Sequence, residues 1–528
     1  MEDRLAYVRS NRPYTPTELT VGQLLEQAAA EAPDTVALMT LRDADGARQQ
    51  MTYAELLERA RATAQDLLTR FQPGDRLVIW MGNRQDWTVV QFGAAMAGLI
   101  VVAINPGCAK GELQYFLDQS EARGIVLEHH NRGRDQIALL TEIMPNLKGL
   151  DHVIDIDTWQ PKAGDTPLPQ VAPDDPALIQ YTSGTTGKPK GALLTHRGLV
   201  SATKSSEEVF EIPRGSTWLN PLPNYTTSGA VFVTMMAMWN RGTILMLASF
   251  DPELVCRAVD EDRAAFIPLV PTMAFAVLNH PGRTGRDFSA LKAVVLGGSS
   301  LPPSLVTRIN DEFGAETHVI FGQTETCSTL CLTPRGDTME HKTTTVGYPI
   351  AGTEIRIADP ATGETMKIGE IGEICARGPS TMAGYFRMEE ETAKALDADG
   401  WLHTGDLGYL TEDGYPWLTG RLKEMIIRGG SNIYPREIED VLVELDGIAE
   451  AAVFGIPDDH YGELAVAAVK VAPGAGVTDE TILSHLADNV AKYKVPSAIW
   501  RVEGFPLTAS GKVQKFELRT AYLARTGD

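Results

Sequence analysis

The chain has 528 residues, more than one hydrophobic core usually supports, so two or more domains are expected. Its 43% hydrophobic and 22% charged content is typical of a globular protein and excludes a disordered one. The 69 acidic and 47 basic residues give a formal net charge of −22, which argues against a nucleic acid or an anionic membrane as a partner.

Strands and helices alternate along the chain, which predicts a layered α/β protein. The N-terminal residues lack the apolar stretch of a secretory signal, so a cytoplasmic location is expected. An amphipathic helix is predicted over Thr52–Phe71, and strands are predicted over Asp75–Trp80, Ile125–His130 and Ala293–Gly298. The apolar run Phe92–Pro106 is too short to span a bilayer and predicts a buried helix that leads into a buried strand. No membrane span is therefore expected.

The character of the sequence changes near Arg421. From there onward a compact unit of about a hundred residues has strand and helix signals of its own. The sequence therefore predicts an N-terminal domain over residues 1–420 and a small C-terminal domain over residues 421–528.

The cysteines are few, odd in number and mostly far apart, which fits a reducing compartment better than a disulfide framework. Cys327 and Cys331 are four residues apart, but no second Cys/His pair lies near them, which argues against a metal site there. The five are Cys108, Cys256, Cys327, Cys331 and Cys375.

The stretch Tyr181–Gly191 reads YTSGTTGKPKG and combines glycines, hydroxyl side chains and two lysines without a long apolar side chain. Such a composition suits a polyphosphate cradle, because backbone N–H groups, hydroxyls and ammonium groups all favour an anion. It is not a Walker A loop, since Thr182 and Pro189 stand where that pattern needs a glycine and a Ser or Thr. Taken alone, the stretch fits a phosphate cradle or a solvated loop.

The wider pattern resembles the adenylate-forming superfamily, which comprises acyl-CoA synthetases, peptide-synthetase adenylation domains and luciferases. The resemblance covers nearly the whole chain and implies a large, multi-subdomain N-terminal α/β domain with a small, mobile α+β C-terminal domain. Five segments carry it in order: Tyr181–Gly191, Phe321–Thr326 (FGQTET), Trp401–Asp406 (WLHTGD), Gly420–Glu439 (GRLKEMIIRGGSNIYPREIE) and Pro506–Lys515 (PLTASGKVQK).

The family's reaction has two steps. A carboxylate attacks the α-phosphate of ATP to give an acyl-adenylate and pyrophosphate, and a thiol, often that of coenzyme A, then takes the acyl group. The resemblance implies that Glu325 binds Mg²⁺, which prefers a carboxylate together with phosphate oxygens, and that Thr324 contacts phosphate. It also implies that the glycine-rich loop holds the β- and γ-phosphates through Thr182, Ser183, Gly184, Thr185, Thr186, Gly187, Lys188 and Lys190.

Further matches concern the nucleoside. Phe321 takes the place of an aromatic residue that stacks on adenine, and Asp406 that of the carboxylate that accepts both ribose hydroxyls. Arg421 matches a residue that closes on the same ribose. The remaining AMP-binding positions implied by the resemblance are Gly298, Ser299, Ser300, Gly322 and Gln323.

In the predicted C-terminal domain, Lys512 matches the lysine that bridges the carboxylate and the α-phosphate during adenylation. Lys423 matches the hinge about which the small domain swings between an adenylating and a thioester-forming face. On the second face, Gly429 and Gly430 are expected to let the pantetheine chain pass, and Tyr461 to stack on the nucleotide of coenzyme A.

The acyl pocket is expected to include Tyr225, Thr226, Thr227 and Gly229. The chain departs from the family here, because Thr226 replaces a histidine common at this place and cannot carry its charge. In the later segment EMIIRGG, Ile427 replaces a lysine that some members have, as in other CoA ligases.

The substrate is expected to be an apolar acid larger than acetate, such as a medium-chain fatty acid or an aryl or polycyclic carboxylate. The segment Leu219–Phe250 contains no Asp or Glu, and amino-acid-activating relatives use a carboxylate there to anchor the ammonium group. The following apolar side chains either line the pocket or pack in the core: Val231, Phe232, Met235, Met236, Met238 and Trp239.

The sequence thus predicts an ATP-dependent acid:CoA ligase that uses ATP, Mg²⁺ and coenzyme A. An adenylation enzyme that loads an acyl or amino acid onto a carrier protein is the nearest alternative. A non-catalytic AMP-binding sensor is disfavoured, because Lys512, Glu325, Asp406 and Arg421 occur together. No feature favours a luciferase-like oxygenase, and the oligomeric state is not predicted.

Overall fold

The computed structural model describes residues 4–41, 48–182, 188–297, 301, 303–429, 431–458, 460–507 and 513–526. Within these ranges the chain is a mixed α/β protein with three sheets in its first 421 residues and a fourth sheet after them. A small hairpin, His130–Asn131 with Arg134–Asp135, lies apart from these sheets.

The first sheet has seven strands, and its middle strands are parallel and buried on both faces. Apolar runs such as RLVIW in Arg76–Trp80 and IVVA in Ile100–Ala103 are typical of strands covered on both sides. In spatial order the strands are Gly384–Tyr385, Lys190–Thr195, Pro176–Thr182, Ile100–Ala103, Arg76–Trp80, Gly124–Leu127 and His152–Asp155.

The second sheet has nine strands, of which the central six are parallel. In spatial order these are Tyr348–Pro349, Cys331–Leu332, Glu316–Phe321, Ala293–Gly297, Ala264–Leu269, Thr217–Asn220, Thr243–Leu247, Val36–Leu41 and Arg48–Thr52. The main core cluster draws residues from both large sheets and their helices, so the two sheets form one packed unit.

The third sheet is antiparallel and has five strands: Tyr7–Arg9, Glu354–Ala358, Gly372–Arg377, Leu402–Leu410 and Pro416–Arg421. The fourth sheet contains Ser431–Ile433, Ile426–Arg428, Gly462–Val471 and Ile448–Asp458, with Ala498–Arg501 parallel to Gly462–Val471. Two core clusters of this last region contain only residues from Ile426 onward, so the region has an apolar interior of its own.

Helices cover the sheets. The described α-helices are Val21–Glu31, Tyr53–Leu67, Gln85–Met96, Lys110–Gln119, Gln136–Ile143, His196–Phe210, Thr234–Asn240, Pro252–Asp260, Pro271–Leu278, Pro303–Phe313, Met339–Thr344, Glu389–Ala395, Pro435–Glu444, Asp479–Asn489 and Lys515–Thr526. Short 3₁₀ turns span Met144–Asn146, Pro281–Arg283, Thr324–Thr326, Leu422–Glu424 and Lys492–Lys494, and a π-helical turn spans Ser228–Val233.

The expected elements are present with adjusted ends. The predicted helix over Thr52–Phe71 runs from Tyr53 to Leu67, because the Thr52 side chain accepts the Glu55 N–H and caps its start. The strand predicted over Ile125–His130 is Gly124–Leu127, so the prediction was wrong for Glu128 and His129, while His130 begins the separate short strand His130–Asn131.

The other strand predictions differ less. The strand expected over Asp75–Trp80 begins at Arg76, and that expected over Ala293–Gly298 is described as far as Gly297. The run Phe92–Pro106 forms the end of one helix and the strand Ile100–Ala103, as expected. Gly98 makes the tight connection between them with a φ of +69°.

None of the helices in the described ranges combines the length and apolarity that crossing a membrane requires. All five cysteines are buried and have free thiols.

Candidate active site

The predicted phosphate loop lies in a hairpin between strands Pro176–Thr182 and Lys190–Thr195, where Thr182 pairs with Lys190. The Thr182 hydroxyl donates to the Lys190 carbonyl at 3.4 Å. The strands therefore hold the two ends of the loop together at the carboxyl end of a parallel strand, where α/β proteins commonly bind ligands. The predicted residues Ser183, Gly184, Thr185, Thr186 and Gly187 lie outside the described residues.

A neighbouring helix, Lys110–Gln119, supports this hairpin. The Tyr115 hydroxyl donates to the Pro189 carbonyl at 2.7 Å, and the Lys188 ammonium lies 5.6 Å from the centroid of the same ring. Tyr115 thus fixes the outgoing end of the loop through its hydroxyl and faces a loop cation with its ring.

The Lys190 side chain points toward Tyr385, and its Nζ lies 4.9 Å from the centroid of that ring. Lys190 also forms an ion pair with Glu391 of helix Glu389–Ala395. Hydrogen bonds from Lys190 and Lys394 hold the pKa of Glu391 at about 2. The Lys190 ammonium group, which the family resemblance assigns to phosphate, is thus paired with the Glu391 carboxylate.

Glu325 lies in the 3₁₀ turn Thr324–Thr326, directly after strand Glu316–Phe321. It is 8% exposed, and its Oε1 accepts a 2.7 Å hydrogen bond from the Tyr385 hydroxyl. Burial and the charge of Glu325 raise the pKa of Tyr385 far above its usual value, so the hydroxyl remains a donor. Glu325 and Lys190 thus meet at the same tyrosine, although they come from different sheets.

The turn before Glu325 is tight. A Cβ at Gly322 would lie 2.1 Å from the Ser328 carbonyl oxygen, so glycine is required there. Gln323 starts the 3₁₀ turn, and its backbone N–H donates to the Thr326 hydroxyl at 3.1 Å. Phe321 ends the strand with 8% exposure and packs in an apolar cluster. Gly298, Ser299 and Ser300, which follow the adjacent strand, lie outside the described residues.

Asp406 and Arg421 face each other across two strands of the five-stranded sheet, where they are register partners. The Arg421 Nε lies 3.0 Å from Asp406 Oδ1. The Asp406 side chain is 3% exposed and that of Arg421 is 46% exposed, so the pair has a buried anionic end and a solvent-facing cationic end. The structure therefore brings these two predicted ribose residues together.

The predicted acyl residues form a turn after strand Thr217–Asn220. Gln180, 6% exposed, donates through Nε2 to the Tyr225 carbonyl at 3.0 Å and so joins this turn to the strand that carries the phosphate loop. The Thr226 hydroxyl donates to the Pro223 carbonyl at 2.7 Å, which uses its hydrogen within the turn. A Cβ at Gly229 would lie 2.3 Å from the same carbonyl oxygen. Thr227 is 5% exposed between these residues.

The side chains that follow this turn pack in the main apolar core. Val231, Phe232, Met235, Met236 and Met238 are each at most 3% exposed, and Trp239 packs against the same cluster. Arg241, the charged residue of this segment, pairs with Glu31 at 3.0 Å. The wall behind the Tyr225–Gly229 turn is therefore apolar.

In the C-terminal region, the predicted hinge residue Lys423 lies in the 3₁₀ turn Leu422–Glu424. Next to it, Glu424 and Glu439 both bind the Lys515 ammonium, at 2.7 and 2.8 Å. Burial alone would lower the pKa of Lys515, but the charges of Glu439 and Glu424 outweigh it and raise that pKa. The predicted catalytic Lys512 lies outside the described residues.

The predicted coenzyme A face contains Gly429, whose φ is +57° and whose N–H donates to the Tyr461 carbonyl at 2.7 Å. The Tyr461 ring is exposed, with the Arg428 guanidinium 5.0 Å from its centroid. Gly430 lies outside the described residues.

Four of the site residues described above were not predicted from the sequence: Tyr385, Glu391, Tyr115 and Gln180. Tyr385 is 60 positions from Glu325, and no local pattern distinguishes its hydroxyl from that of any other tyrosine. Gln180 carried a usable signal, because a polar residue stands in the otherwise apolar strand segment ALIQ just before the glycine-rich loop.

Family models match most of the chain. The model described as AMP-binding enzyme matches residues 25–386, and the AMP-binding enzyme C-terminal domain matches residues 437–512.

Two similar proteins are each 33% identical to the chain. One is the human mitochondrial medium-chain acyl-CoA ligase ACSF2, matched over 98% of this chain and 89% of its own length. The other is a methyl-dioxo-octahydro-indenyl-propanoyl:CoA ligase of Rhodococcus jostii, matched over 96% of this chain and 99% of its own length.

Solved structures of similar proteins share the fold. ATP-bound MatB from Rhodopseudomonas palustris is 28% identical, with a TM-score of 0.86 over 96% of this chain and 99% of that one. The o-succinylbenzoate CoA synthetase MenE of Bacillus subtilis, in complex with the acyl-adenylate OSB-AMP, is 27% identical, with a TM-score of 0.81 over 95% and 98%. The large domain followed by a small C-terminal domain is therefore the architecture expected from the sequence.

Proposed function

This chain belongs to the family of AMP-binding enzymes and is an AMP-forming acid:CoA ligase, and we propose that it activates an apolar carboxylic acid larger than acetate. In this proposal the acid first reacts with ATP to give an acyl-adenylate and pyrophosphate. The acyl group then passes to the thiol of coenzyme A, and AMP is released.

The observation that carries the ATP-dependent step of this proposal is that Lys190 and Glu325 both lie against Tyr385. The ring of Tyr385 lies beside the Lys190 ammonium, and its hydroxyl binds the Glu325 carboxylate at 2.7 Å. A cation for phosphate and a carboxylate for a metal ion are thus held within one tyrosine's reach, next to the glycine-rich hairpin. A nucleoside triphosphate with its divalent ion requires both a cation for the phosphates and a carboxylate for the metal.

Glu325 fits the Mg²⁺ ligand that the family implies. The carboxylate of Glu325 is buried. The Tyr385 hydroxyl binds its Oε1, and this hydrogen bond sets the direction of Oε2. Mg²⁺ binds through one or two carboxylates together with substrate phosphate oxygens, and when bound it neutralises charge on the leaving pyrophosphate. Tyr385 would orient the carboxylate for this role.

The remaining groups would hold the two reactants in line. Asp406 would accept hydrogen bonds from the ribose hydroxyls, with Arg421 beside it. The Tyr225–Gly229 turn, which is hydrogen-bonded to Gln180, would place the acid against the phosphate loop. Lys512 would bridge the acid carboxylate and the α-phosphate, where two anions approach each other. The exposed face with Gly429 and Tyr461 would receive coenzyme A in the second step.

The apolar substrate is supported by the segment behind the acyl turn. It contains no carboxylate, its one charged residue is neutralised by Glu31, and its side chains pack in the apolar core. A buried ammonium group would lack a counter-charge there, which disfavours amino acids. Two relatives are named for a medium-chain acyl-CoA and for a bicyclic propanoyl-CoA, and both acids are larger than acetate.

The domain boundary between residues 420 and 421, the hinge at Lys423 and the cytoplasmic location stay predictions. The human relative is named as mitochondrial.

The experiment is a separation of the two half-reactions. The purified protein with ATP, Mg²⁺ and an apolar acid should release pyrophosphate and accumulate acyl-AMP, detected by mass spectrometry, and added coenzyme A should convert the acyl-AMP to a thioester. Acyl-AMP that is formed but never transferred to coenzyme A would instead favour an enzyme that loads a carrier protein. Binding of AMP without any pyrophosphate release would favour a non-catalytic sensor.

A further inference from the structure

A cluster of metal-ligating side chains lies in the five-stranded sheet, apart from the predicted Mg²⁺ ligand. Glu373 and Cys375 are two residues apart on strand Gly372–Arg377, so their side chains share one face. Cys375 is the register partner of His403 on the neighbouring strand Leu402–Leu410. One ligand atom of each residue lies within 4.8 Å of the other two.

The spacing of these atoms is close to that of a tetrahedral metal site. Cys375 Sγ lies 3.5 Å from His403 Nδ1, which in turn lies 2.7 Å from Glu373 Oε2. Zinc bonds of about 2.3 Å to sulfur and about 2.0 Å to nitrogen, set at the tetrahedral angle, place those two ligand atoms about 3.5 Å apart. For all three atoms to bind one ion, the distance between His403 Nδ1 and Glu373 Oε2 would have to lengthen modestly.

The cluster is partly preorganised by its surroundings. The Gly405 N–H donates to Glu373 Oε1 at 2.9 Å, which fixes the carboxylate and turns Oε2 toward His403. Glu373 and Cys375 are buried, at 6% and 0% exposure, while the His403 side chain is 26% exposed and gives an approach from solvent.

The positive charge of Arg356, which lies nearby, opposes the binding of a cation. Its guanidinium pairs with Asp397 at 3.1 Å, and an Asp397 oxygen lies 3.9 Å from His403 Nε2. The divalent cation and Arg356 together carry three positive charges. Glu373, Asp397 and the Cys375 thiolate carry three negative charges, so the metal-bound cluster is neutral. Burial raises the pKa of the Cys375 thiol to about 12, so binding must break its S–H bond and release that proton to solvent as the sulfur–metal bond forms.

We propose that Glu373, Cys375 and His403 form a binding site for one thiophilic divalent cation of the Zn²⁺ class. The mixed thiolate, imidazole and carboxylate set selects such an ion over Mg²⁺, which prefers oxygen ligands alone. On strand Leu402–Leu410, His403 stands three residues before Asp406, the predicted ribose carboxylate.

Cobalt serves as the spectroscopic probe. Untagged, metal-free, reduced full-length protein should bind one Co²⁺ per chain and develop a near-ultraviolet thiolate-to-metal charge-transfer band. Equimolar Zn²⁺ should remove the band, and excess Mg²⁺ should not. Cys375→Ser should abolish the band, and Glu373→Gln should weaken Co²⁺ binding by about tenfold or more.

Two controls separate this site from other groups. Cys108→Ser changes a buried cysteine elsewhere, and His129→Gln changes the surface group of His129, His130 and Asp135, which also has metal-ligand spacing. Both variants should keep the band. Wild-type protein without the band, or a band that survives Cys375→Ser, would overturn the proposal.

X-ray absorption of the Zn²⁺-loaded wild type needs no variant and remains decisive if Cys375→Ser fails to fold. One sulfur neighbour at about 2.3 Å with nitrogen or oxygen neighbours at about 2.0 Å is expected. A spectrum with no sulfur neighbour would exclude Cys375 and refute the site.

Discussion

In the large domain, Glu325 and Asp406 are 8% and 2% exposed and each has a side-chain partner, whereas Tyr461 and Ile427 of the small domain are 44% and 49% exposed. Glu325 directly follows a strand of the nine-stranded sheet, and Asp406 lies within strand Leu402–Leu410 of the five-stranded sheet. The second pair lies on the surface of a region with its own apolar clusters.

This contrast suggests a division of labour. Groups that hold the nucleotide in both half-reactions are best placed on a rigid, buried frame, because the acyl-adenylate must be kept while the acceptor changes. Groups needed in only one half-reaction can belong to a domain that presents one face and then another. Variants in the large domain should therefore affect both steps, or ATP itself, while variants in the small domain should separate the steps.

The largest effect is expected for Lys512→Ala. Loss of an ammonium group at the reacting phosphate should slow acyl-AMP formation by on the order of 10²–10³-fold, the range for removing one group that stabilises transition-state charge. Thioester formation from supplied acyl-AMP should stay near the wild-type rate. Lys470→Ala, which removes a surface lysine of the same domain, is the control, and equal slowing of both steps by Lys512→Ala would contradict the division.

Asp406→Asn should slow both half-reactions by similar factors. The ribose is present in ATP and in acyl-AMP, and a hydrogen bond to a charged group contributes about 1.5–3 kcal/mol, or roughly 10- to 100-fold. Single-turnover rates of each step measure this, with Asp488→Asn as an acidic control elsewhere. A variant impaired in only one step would remove Asp406 from the shared nucleotide frame.

Lys423→Pro should slow the thioester step more than adenylation, by roughly tenfold if proline biases two domain orientations by about 1.4 kcal/mol. Proline fixes φ and removes a backbone donor within the turn Leu422–Glu424. Lys423→Ala is the matched control, since it removes the side chain and leaves the backbone free. Wild-type rates for the proline variant in both steps would place the pivot elsewhere.

The smallest effect is expected for Tyr385→Phe, which removes the hydroxyl that binds Glu325 and keeps the ring beside Lys190. The Mg²⁺ concentration for half-maximal pyrophosphate exchange should rise about fivefold, the equivalent of about 1 kcal/mol. Equilibrium binding of MgATP should weaken by a similar factor. Tyr409→Phe, a ring stacked on Trp417, is the control, and an unchanged Mg²⁺ requirement would show that Tyr385 does not orient Glu325.

The sequence predicted the fold well, because long motifs and apolar runs carry that information locally. The helix predicted over Thr52–Phe71 is present as Tyr53–Leu67, and the buried run after Phe92 forms a helix and a strand as expected. Strand ends were predicted less well, because His129 and His130 continue a run of strand-like residues but lie beyond the end of the strand at Leu127.

For the site, sequence motifs named individual groups, while the contacts between them required three dimensions. Nothing near Lys190 indicates that Glu391, 201 positions later, would pair with it. The Asp406–Arg421 pair is different, because both residues belong to adjacent strands of one antiparallel hairpin, and such short-range partners are open to sequence reasoning. Sequence motifs therefore name candidate residues, whereas the contacts that hold those residues in place become visible only in the structure.

The central claim, ligation of an apolar acid to coenzyme A, is tested most directly by mass spectrometry of CoA-thioester formation across a panel of acids. Amino, acetic, medium-chain fatty, aryl and bulky alicyclic acids are each incubated with the protein, ATP, Mg²⁺ and coenzyme A. We expect thioester from one or more of the apolar acids larger than acetate and little from amino acids or acetate. A clear preference for an amino acid, or acyl-AMP without any CoA thioester for every acid, would contradict the account.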